Sequence, residues 1–357
     1  MDYLQQSLTI AQEIQDDLGQ ENALVNLGKV YQVLGDYYRA IDYYQHSLTI
    51  VQEIGDLRGK AQALTNLGSV YASLGDYSKT IEYSEQSLAI ARQINNHQGE
   101  GQALANIGNI YLYQGQYNRA IEYHQQSLVI AQEIGDRRGE EMALGSLGVV
   151  YESIGDYAKG IEYNQESLLI AQEIGDRRGE EQALTNLGRV YAYIGDYVKT
   201  IEYSQHSLAI AREIGNRQGE GEALGNLGLA YQSMGNYEQA INYYNQKLEI
   251  ARWIRDILSE GEALYNLGNT LIQVEDYLQA LNYFQQSLDI FLKIGSRANE
   301  AEALKSLAEV HQHLGHFNIA IEFSDRALAI ATELGIPLAN ECQKLKDTLT
   351  TIERIDS

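Results

Sequence analysis

The chain has 357 residues, with 49 Asp and Glu against 26 Lys and Arg, one Pro, one Cys and 32 Gly. A formal charge of −23 disfavours nucleic acid and anionic membrane as partners, because both would repel it. Cys342 alone excludes an intramolecular disulfide or a multi-cysteine metal site, and it fits a reducing compartment. The opening Met1-Asp2-Tyr3-Leu4-Gln5 lacks a basic stretch and an apolar core, and no apolar run approaches 18 residues, so the expectation is a cytoplasmic chain without membrane span or secretion signal.

Residues 1–15 match residues 41–55 of the same chain: Met1 aligns with Ile41 and Leu8 with Leu48. They are expected to form the lone second helix of an incomplete repeat. Its missing partner would leave apolar surface bare, either because the chain was cut from a longer one or because that surface serves self-association.

From residue 16 a period of 40 takes over. Gly19, Gly59, Gly99, Gly139, Gly179 and Gly219 keep it, as do Gly28, Gly68, Gly108, Gly148, Gly188, Gly228 and Gly268. Two further glycine columns start at Gly35 and Gly55, and Tyr31, Tyr37 and Tyr43 head tyrosine columns of the same spacing. A fixed period of this length signals a stacked array, and residues 16–335 divide into eight repeats.

Each repeat reads as two helices. In the second repeat the first helix spans about Leu57 to Leu74, with Ala63, Leu64, Leu67, Val70, Tyr71 and Leu74 on a 3.6-residue stripe. Gly75 supplies a left-handed stop, and Asp76 can cap the next helix. That second helix, about Ser78 to Ile94, carries Ile81, Tyr83, Leu88, Ile90, Ala91 and Ile94, an apolar band wide enough to be covered from two sides. The glycine inside the first helix of seven repeats costs about 1 kcal/mol relative to Ala in each. Close helix contact is the expected compensation, with Gly28 facing the small residues Ala40 and Ser47. The columns of Tyr31, Tyr37 and Tyr43 are expected in the core. After the array, Pro337 breaks register, and residues 336–357 are expected to form a capping helix with Leu338, Cys342, Leu345, Leu349 and Ile352 on one face.

The shared residues Leu67-Gly68-Ser69-Val70-Tyr71, then Gly75-Asp76-Tyr77, then a small residue early in the second helix, resemble tetratricopeptide repeats. The array departs from the common 34-residue form in length and in lacking the terminal Pro. Forty-residue repeats with Leu-Gly-Asn and Ile134-Gly135-Asp136-Arg137 look like the Leu-Gly-Asn branch of spindle-orientation adaptors and like bacterial sensor and scaffold arrays. The resemblance implies an all-α, right-handed superhelix (an α-solenoid) of eight helix-turn-helix repeats with an extra helix at each end. It also implies a concave groove that binds an extended peptide of a partner protein, without catalytic residues or a cofactor.

In that frame the side of the first helix opposite its core stripe lines the groove. Asn recurs there: Asn26, Asn66, Asn106, Asn186, Asn226 and Asn266. Asn is a mediocre helix former, so the recurrence needs a cause. One is capture of a ligand backbone, since a carboxamide both donates and accepts and inner helices about 10 Å apart would meet an extended strand about every third residue. The other is contact with the neighbouring repeat. Repeats one to five place Lys29, Arg58, Arg138, Arg178 and Arg189 on the same stripe, whereas repeats six to eight place Glu222, Glu262, Glu302 and Glu309 there with Lys305. This polarity points to a partly acidic peptide seated with its acidic segment in repeats two to five. Tyr113 and Tyr193 also point toward the groove, and Trp253 stands where a Glu is usual. His311, His313 and His316 cluster in sequence, but the first two face different sides of a helix, which argues against a metal site. No phosphate-binding glycine motif occurs, and the reading is of a non-enzyme.

Overall fold

A computed structural model describes residues 2–356, with side chains through 351, so Met1 and the Ile352 side chain lie outside the described residues. The described residues are all-helical, an α-solenoid whose helices fall in two compact units, Met1–Gly179 and Glu180–Ser357. The first unit holds α1 (Asp2–Glu13), α2 (Asp17–Val33), α3 (Tyr37–Glu53), α4 (Leu57–Ser73), α5 (Tyr77–Gln93), α6 (His97–Tyr113), α7 (Tyr117–Ile134), α8 (Arg137–Ile154) and α9 (Tyr157–Ile174). Helix α10 (Arg177–Tyr193) begins just before the boundary. The second unit continues with α11 (Tyr197–Ile214), α12 (Arg217–Ser233), α13 (Tyr237–Ile254), α14 (Ile257–Gln273), α15 (Tyr277–Ile294), α16 (Arg297–His313), α17 (Phe317–Leu334) and α18 (Leu338–Asp356).

The turns arise from two residue types. Thirteen glycines at helix ends have positive φ, among them Gly35, Gly75 and Gly135, and where the next residue is Asp or Asn its side chain caps the following helix, as at Asp36, Asp76, Asp136 and Asn216. Asp76 accepts from the Lys79 N–H at 3.1 Å and Asp136 from the Gly139 N–H at 2.9 Å. Where the glycine columns are interrupted, the left-handed turn persists on Gln15, Asn95, Arg255 and Glu275. Tertiary packing therefore imposes the turn even on side chains that resist it.

The core lies between the paired helices, on Leu64, Leu67, Leu104, Ile107, Leu144 and Leu147 in the first unit and on Leu224, Leu227, Leu264 and Leu267 in the second. The glycines within first helices answer to a different residue from the one expected. Ala40 and Ser47 are buried, but a Cβ on Gly28 would lie 2.5 Å from the ring of fully buried Tyr44. The same column places His124 over Gly108, Asn164 over Gly148, Tyr244 over Gly228 and Phe284 over Gly268. A large side chain laid flat on the neighbouring helix is what excludes a Cβ there.

The Tyr31, Tyr37 and Tyr43 columns pack against the core as expected: these three residues are half-buried at its edge, and Tyr111 and Tyr191 of the first column are buried. Tyr31 stacks on Tyr43 with centroids 5.4 Å apart, and Arg39 lies over the Tyr31 ring. Tyr71–Tyr83 and Tyr151–Tyr163 repeat the stack, with Lys79 and Lys159 above. In the last repeat His311 takes the place of that Tyr and stacks on Phe323 at 5.5 Å.

At the ends, α1 leaves Tyr3 87% and Ile10 56% exposed. Helix α18 buries Cys342 and Leu349 against the preceding hairpin, and Lys346 pairs with Asp325 at 2.6 Å. No described helix is long and apolar enough to cross a membrane.

Candidate functional site

Consecutive first helices touch one another along one face, α4 with α6 and α6 with α8 in the first unit. At Ala61, Gly101, Glu141 and Glu181 the Glu21 column sets how the space beside it is filled. Where it is Glu, the carboxylate fills the gap: Glu141 is buried and accepts from Ser167 Oγ at 3.2 Å. Glu181, also buried, accepts from Thr185 Oγ1 at 3.1 Å and Asn216 Nδ2 at 2.7 Å. Burial with few donors pushes the Glu141 carboxyl above the usual carboxylate range. Where the column is Ala61 or Gly101, the serine opposite turns to the backbone instead. Ser87 donates to the Ala61 carbonyl and Ser127 to the Gly101 carbonyl, each at 3.0 Å, and the side-chain space stays open.

Two cavities result. One of about 530 Å³ lies between α4 and α6, lined by Arg58, Ala61, Gln62, Thr65, Asn96 and Gln98 among others. The other, of about 350 Å³, lies between α6 and α8 and carries Ile130, Ile134, Met142 and Gly101 beside Arg138 and Asp136. A third of about 360 Å³ opens near the C-terminal ends of α4 and α6, between Ser69, Tyr77, Asn106, Asn109 and Tyr113. All three fall in the range of about 300–1,000 Å³ typical of ligand pockets.

The asparagines expected to form one uniform row do not share one environment. Asn26 is exposed. Asn66 and Asn106 are half-buried, each accepting through Oδ1 from the Gln one turn earlier, Gln62 at 3.1 Å and Gln102 at 3.2 Å. The Asn66 Nδ2 is buried without a partner. Asn106 also lines the third cavity. By contrast, Asn186 is only 3% exposed and is held by Gln182 and Arg189, each at 3.3 Å. Asn226 donates to the Thr185 carbonyl of the preceding first helix at 3.2 Å, and Asn266 is half-buried. For Asn186 and Asn226 the carboxamide is used inside the scaffold, because buried amides must find partners wherever packing closes over them.

The expected cations divide in the same way. Lys29, Arg58 and Arg178 are exposed. Arg138 is extended toward solvent yet reaches Asp176 at 3.3 Å. Arg189 is half-buried beside Asn186. Tyr113 is 70% exposed and stacks one face on Tyr77 at 6.2 Å, and Tyr193 is 60% exposed.

In the second unit the corresponding space is crossed by charge. Lys247 replaces the usual Ser, lies against Gly225 and pairs with Glu262 at 3.1 Å. Lys305 bridges Glu309 at 3.2 Å and Glu341 at 3.0 Å. Desolvation raises the Glu222 and Glu302 carboxyls.

Two other expectations resolve locally. Arg137 links Glu140 and Glu173, and Arg297 links Glu300 and Glu333. Trp253 occupies the Glu173 position, and Arg217 keeps its role by lying over the indole at 5.5 Å. Of the three histidines, His311 and His316 approach with Nδ1 atoms 3.3 Å apart, while His313 stacks on Tyr277. Among the described residues no group of three or more His, Cys, Asp or Glu is arranged around a common point.

The residues that sequence reasoning missed are Ala61, Gly101, Asn96, Met142 and the Gln62 and Gln102 amides. Their signal was the loss of Glu from the Glu21 column and of Asp from the Asp16 column, both visible once the repeats are aligned.

The tetratricopeptide repeat profile matches residues 19–93, 59–133, 99–173, 139–199, 179–252 and 259–333, and a second tetratricopeptide repeat profile matches 225–291. The chain belongs to the tetratricopeptide repeat family. No curated protein shows significant sequence similarity to it. Among solved structures it is similar to a signal transduction ATPase with numerous domains that carries a tetratricopeptide repeat sensor, from Pyrococcus horikoshii, with 18% identity and a TM-score of 0.67. That match covers 89% of this chain but 49% of the other, so the chain spans about half the length of that protein. A Rap protein complexed with competence and sporulation factor matches at 18% identity and TM-score 0.63, covering 81% and 80% of the two chains. The quorum sensor NprR from B. thuringiensis, in its apo form, matches at 15% and 0.56, covering 96% and 99%. At these identities the likeness is one of fold.

Proposed function

We propose that this tetratricopeptide repeat chain is a non-catalytic interaction scaffold that holds an extended segment of a partner protein along the first-helix face of its first unit. The observation that carries the reading is the row of cavities between α4, α6 and α8, walled by Arg58, Gln62 and Asn106 among other polar side chains. These groups can bond to a peptide without moving the core. The Rap protein's complex with competence and sporulation factor adds a fold-level parallel. Net contributions of about 0.5–1.5 kcal/mol per hydrogen bond make affinity a sum over many contacts.

The test is capture from a displayed library of random 12-residue peptides by the full chain, beside the triple variant Arg58→Ala/Gln62→Ala/Asn106→Ala. The expected outcome is at least tenfold weaker binding of selected peptides to the variant, with an unchanged melting temperature. Undiminished capture by the variant overturns the reading.

A second reading, a regulatory array within a larger signalling protein, draws on the coverage of only half of the P. horikoshii protein, which carries a tetratricopeptide repeat sensor. There the groove would take an intramolecular segment. A nucleotide-binding domain in the same reading frame supports it, and a reading frame that ends at both termini of the array removes it.

A further inference from the structure

The two cavities beside the Glu21 column differ in chemistry, and we infer that together they select a partner segment carrying a carboxylate and, three residues away, a bulky aliphatic side chain. This inference rests on the peptide-binding reading above and specifies its ligand.

The cavity between α4 and α6 takes the carboxylate. Arg58 lines it, and no Asp or Glu is among its lining residues. The reason lies in two substitutions within the repeat pattern. The Asp16 column, which places a capping carboxylate at Asp56, Asp136 and Asp176, here reads Asn96. The Glu21 column, which fills the gap at Glu141 and Glu181, here reads Ala61. Asp56 itself is turned to cap α4, accepting from the Arg58 N–H at 3.0 Å. The Arg58 guanidinium thus stands over amides and hydroxyls in a chain of net charge −23, a local field that an acidic side chain matches.

The cavity between α6 and α8 takes the aliphatic group. Its cation is engaged, since Arg138 pairs with Asp176. Its apolar lining is Ile130, Ile134, Met142 and Ala105, beside polar groups such as Gln102 and Asn109, with Ile134 42% and Met142 52% exposed. Gly101 forms one side, and even a Cβ there would have only Ile130 at 3.8 Å and Ser127 at 3.9 Å near it. Covering those apolar groups contributes about 25 cal/mol per Å² buried.

Helices in contact lie about 8–10 Å apart, so neighbouring gaps are separated by about that distance. A polyproline II segment rises about 3.1 Å per residue with three residues per turn. Residues i and i+3 then point the same way about 9 Å apart, one into each cavity, in either chain direction.

The array provides its own plugs for the test. Glu occupies the same column at Glu21, Glu141 and Glu181, so Ala61→Glu and Gly101→Glu introduce a side chain the fold already accommodates. The random 12-residue library is selected against the full wild-type chain and against each variant, with thermal melts confirming that both fold. Wild type is expected to enrich Asp or Glu three residues from Leu, Ile or Met. Ala61→Glu is expected to abolish the acidic enrichment and keep the aliphatic one; Gly101→Glu does the reverse. Each variant should weaken a labelled consensus peptide at least tenfold by fluorescence anisotropy. Added salt should weaken that peptide on wild type and on Gly101→Glu, and leave its residual binding to Ala61→Glu unchanged. Captured peptides without this pair, or variants that lose both preferences alike, overturn the inference and leave peptide binding standing. Failure of wild type to capture any peptide overturns both.

Discussion

Repeat three, in the unit Met1–Gly179, and repeat seven, in the unit Glu180–Ser357, carry glycine at the same two places on their first helices, yet only the former has room beside one of them. A Cβ on Gly101 would have only Ile130 at 3.8 Å and Ser127 at 3.9 Å near it, whereas a Cβ on Gly261 would meet Phe291 at 2.8 Å and Ile290 at 2.9 Å. Gly108 lies under His124 and Gly268 under Phe284, at 2.8 and 2.7 Å. The glycines are therefore not markers of cavities. The side chain standing opposite decides whether the absent one becomes a binding space or a packing contact, and the two repeats have made opposite choices.

Converting repeat three toward repeat seven gives the largest expected effect. His124 is fully buried, neither ring nitrogen has a partner, and burial lowers its pKa to about 4. The unfolded chain, with a His pKa near 6.5, binds the proton more readily than the folded one. Stability contributed at this site is therefore intact above about pH 6.5 and is lost as pH falls toward 4. The loss reaches about 3 kcal/mol. His124→Phe copies Phe284 and removes the titrating group. Its melting temperature should exceed wild type at pH 7, and the gap should widen steadily down to pH 4. A gap that stays constant with pH contradicts the burial argument.

A smaller contrast separates repeats six and two. A Cβ on Gly228 would sit 2.5 Å from the Tyr244 ring, whereas on Gly68 the nearest atom is Ser84 Oγ at 3.2 Å. Repeat eight already has Ala308 in the glycine column and Ser324 in the column opposite. Gly228→Ala should lower stability by about 1–2 kcal/mol, as overpacking exceeds the gain in helix propensity. Gly68→Ala should be neutral or raise it by up to about 1 kcal/mol. Melting curves and hydrogen exchange over α12 and α4 check the two signs, the latter because repeat arrays need not unfold as one unit.

The contrast also explains what the sequence made legible. Helix order, turns and caps were readable because Gly75, Asp76 and their periodic equivalents encode local backbone geometry, which is the same in every repeat. The residue over each glycine was not, since the Tyr44 column runs through Ser84, His124, Asn164, Ser204, Tyr244, Phe284 and Ser324 and carries no period. The role of each residue in the asparagine column was not legible for the converse reason. Its residue type is constant, but its environment depends on what neighbouring helices bring: Arg189 and Gln182 close over Asn186, while Gln62 reaches Asn66 and leaves its Nδ2 unpaired. Periodicity identifies a position, and the non-periodic columns around it assign its role.

The smallest expected effect tests whether that local geometry is imposed or intrinsic. Glu275 holds φ +62° at a turn where seven other repeats use glycine. A side chain in the left-handed region costs about 1–2 kcal/mol. Part of that is offset because glycine gives the unfolded chain more freedom, by about 0.4–1 kcal/mol. Glu275→Gly should therefore raise stability by about 0.5–1 kcal/mol. Arg255→Gly, at φ +59°, should do the same, and Asn95→Gly less, since Asn tolerates this conformation. Should Glu275→Gly instead lower the melting temperature, the left-handed turn in repeat seven would owe its stability to the Glu275 side chain, and the claim that packing on either side dictates the backbone would fail there first.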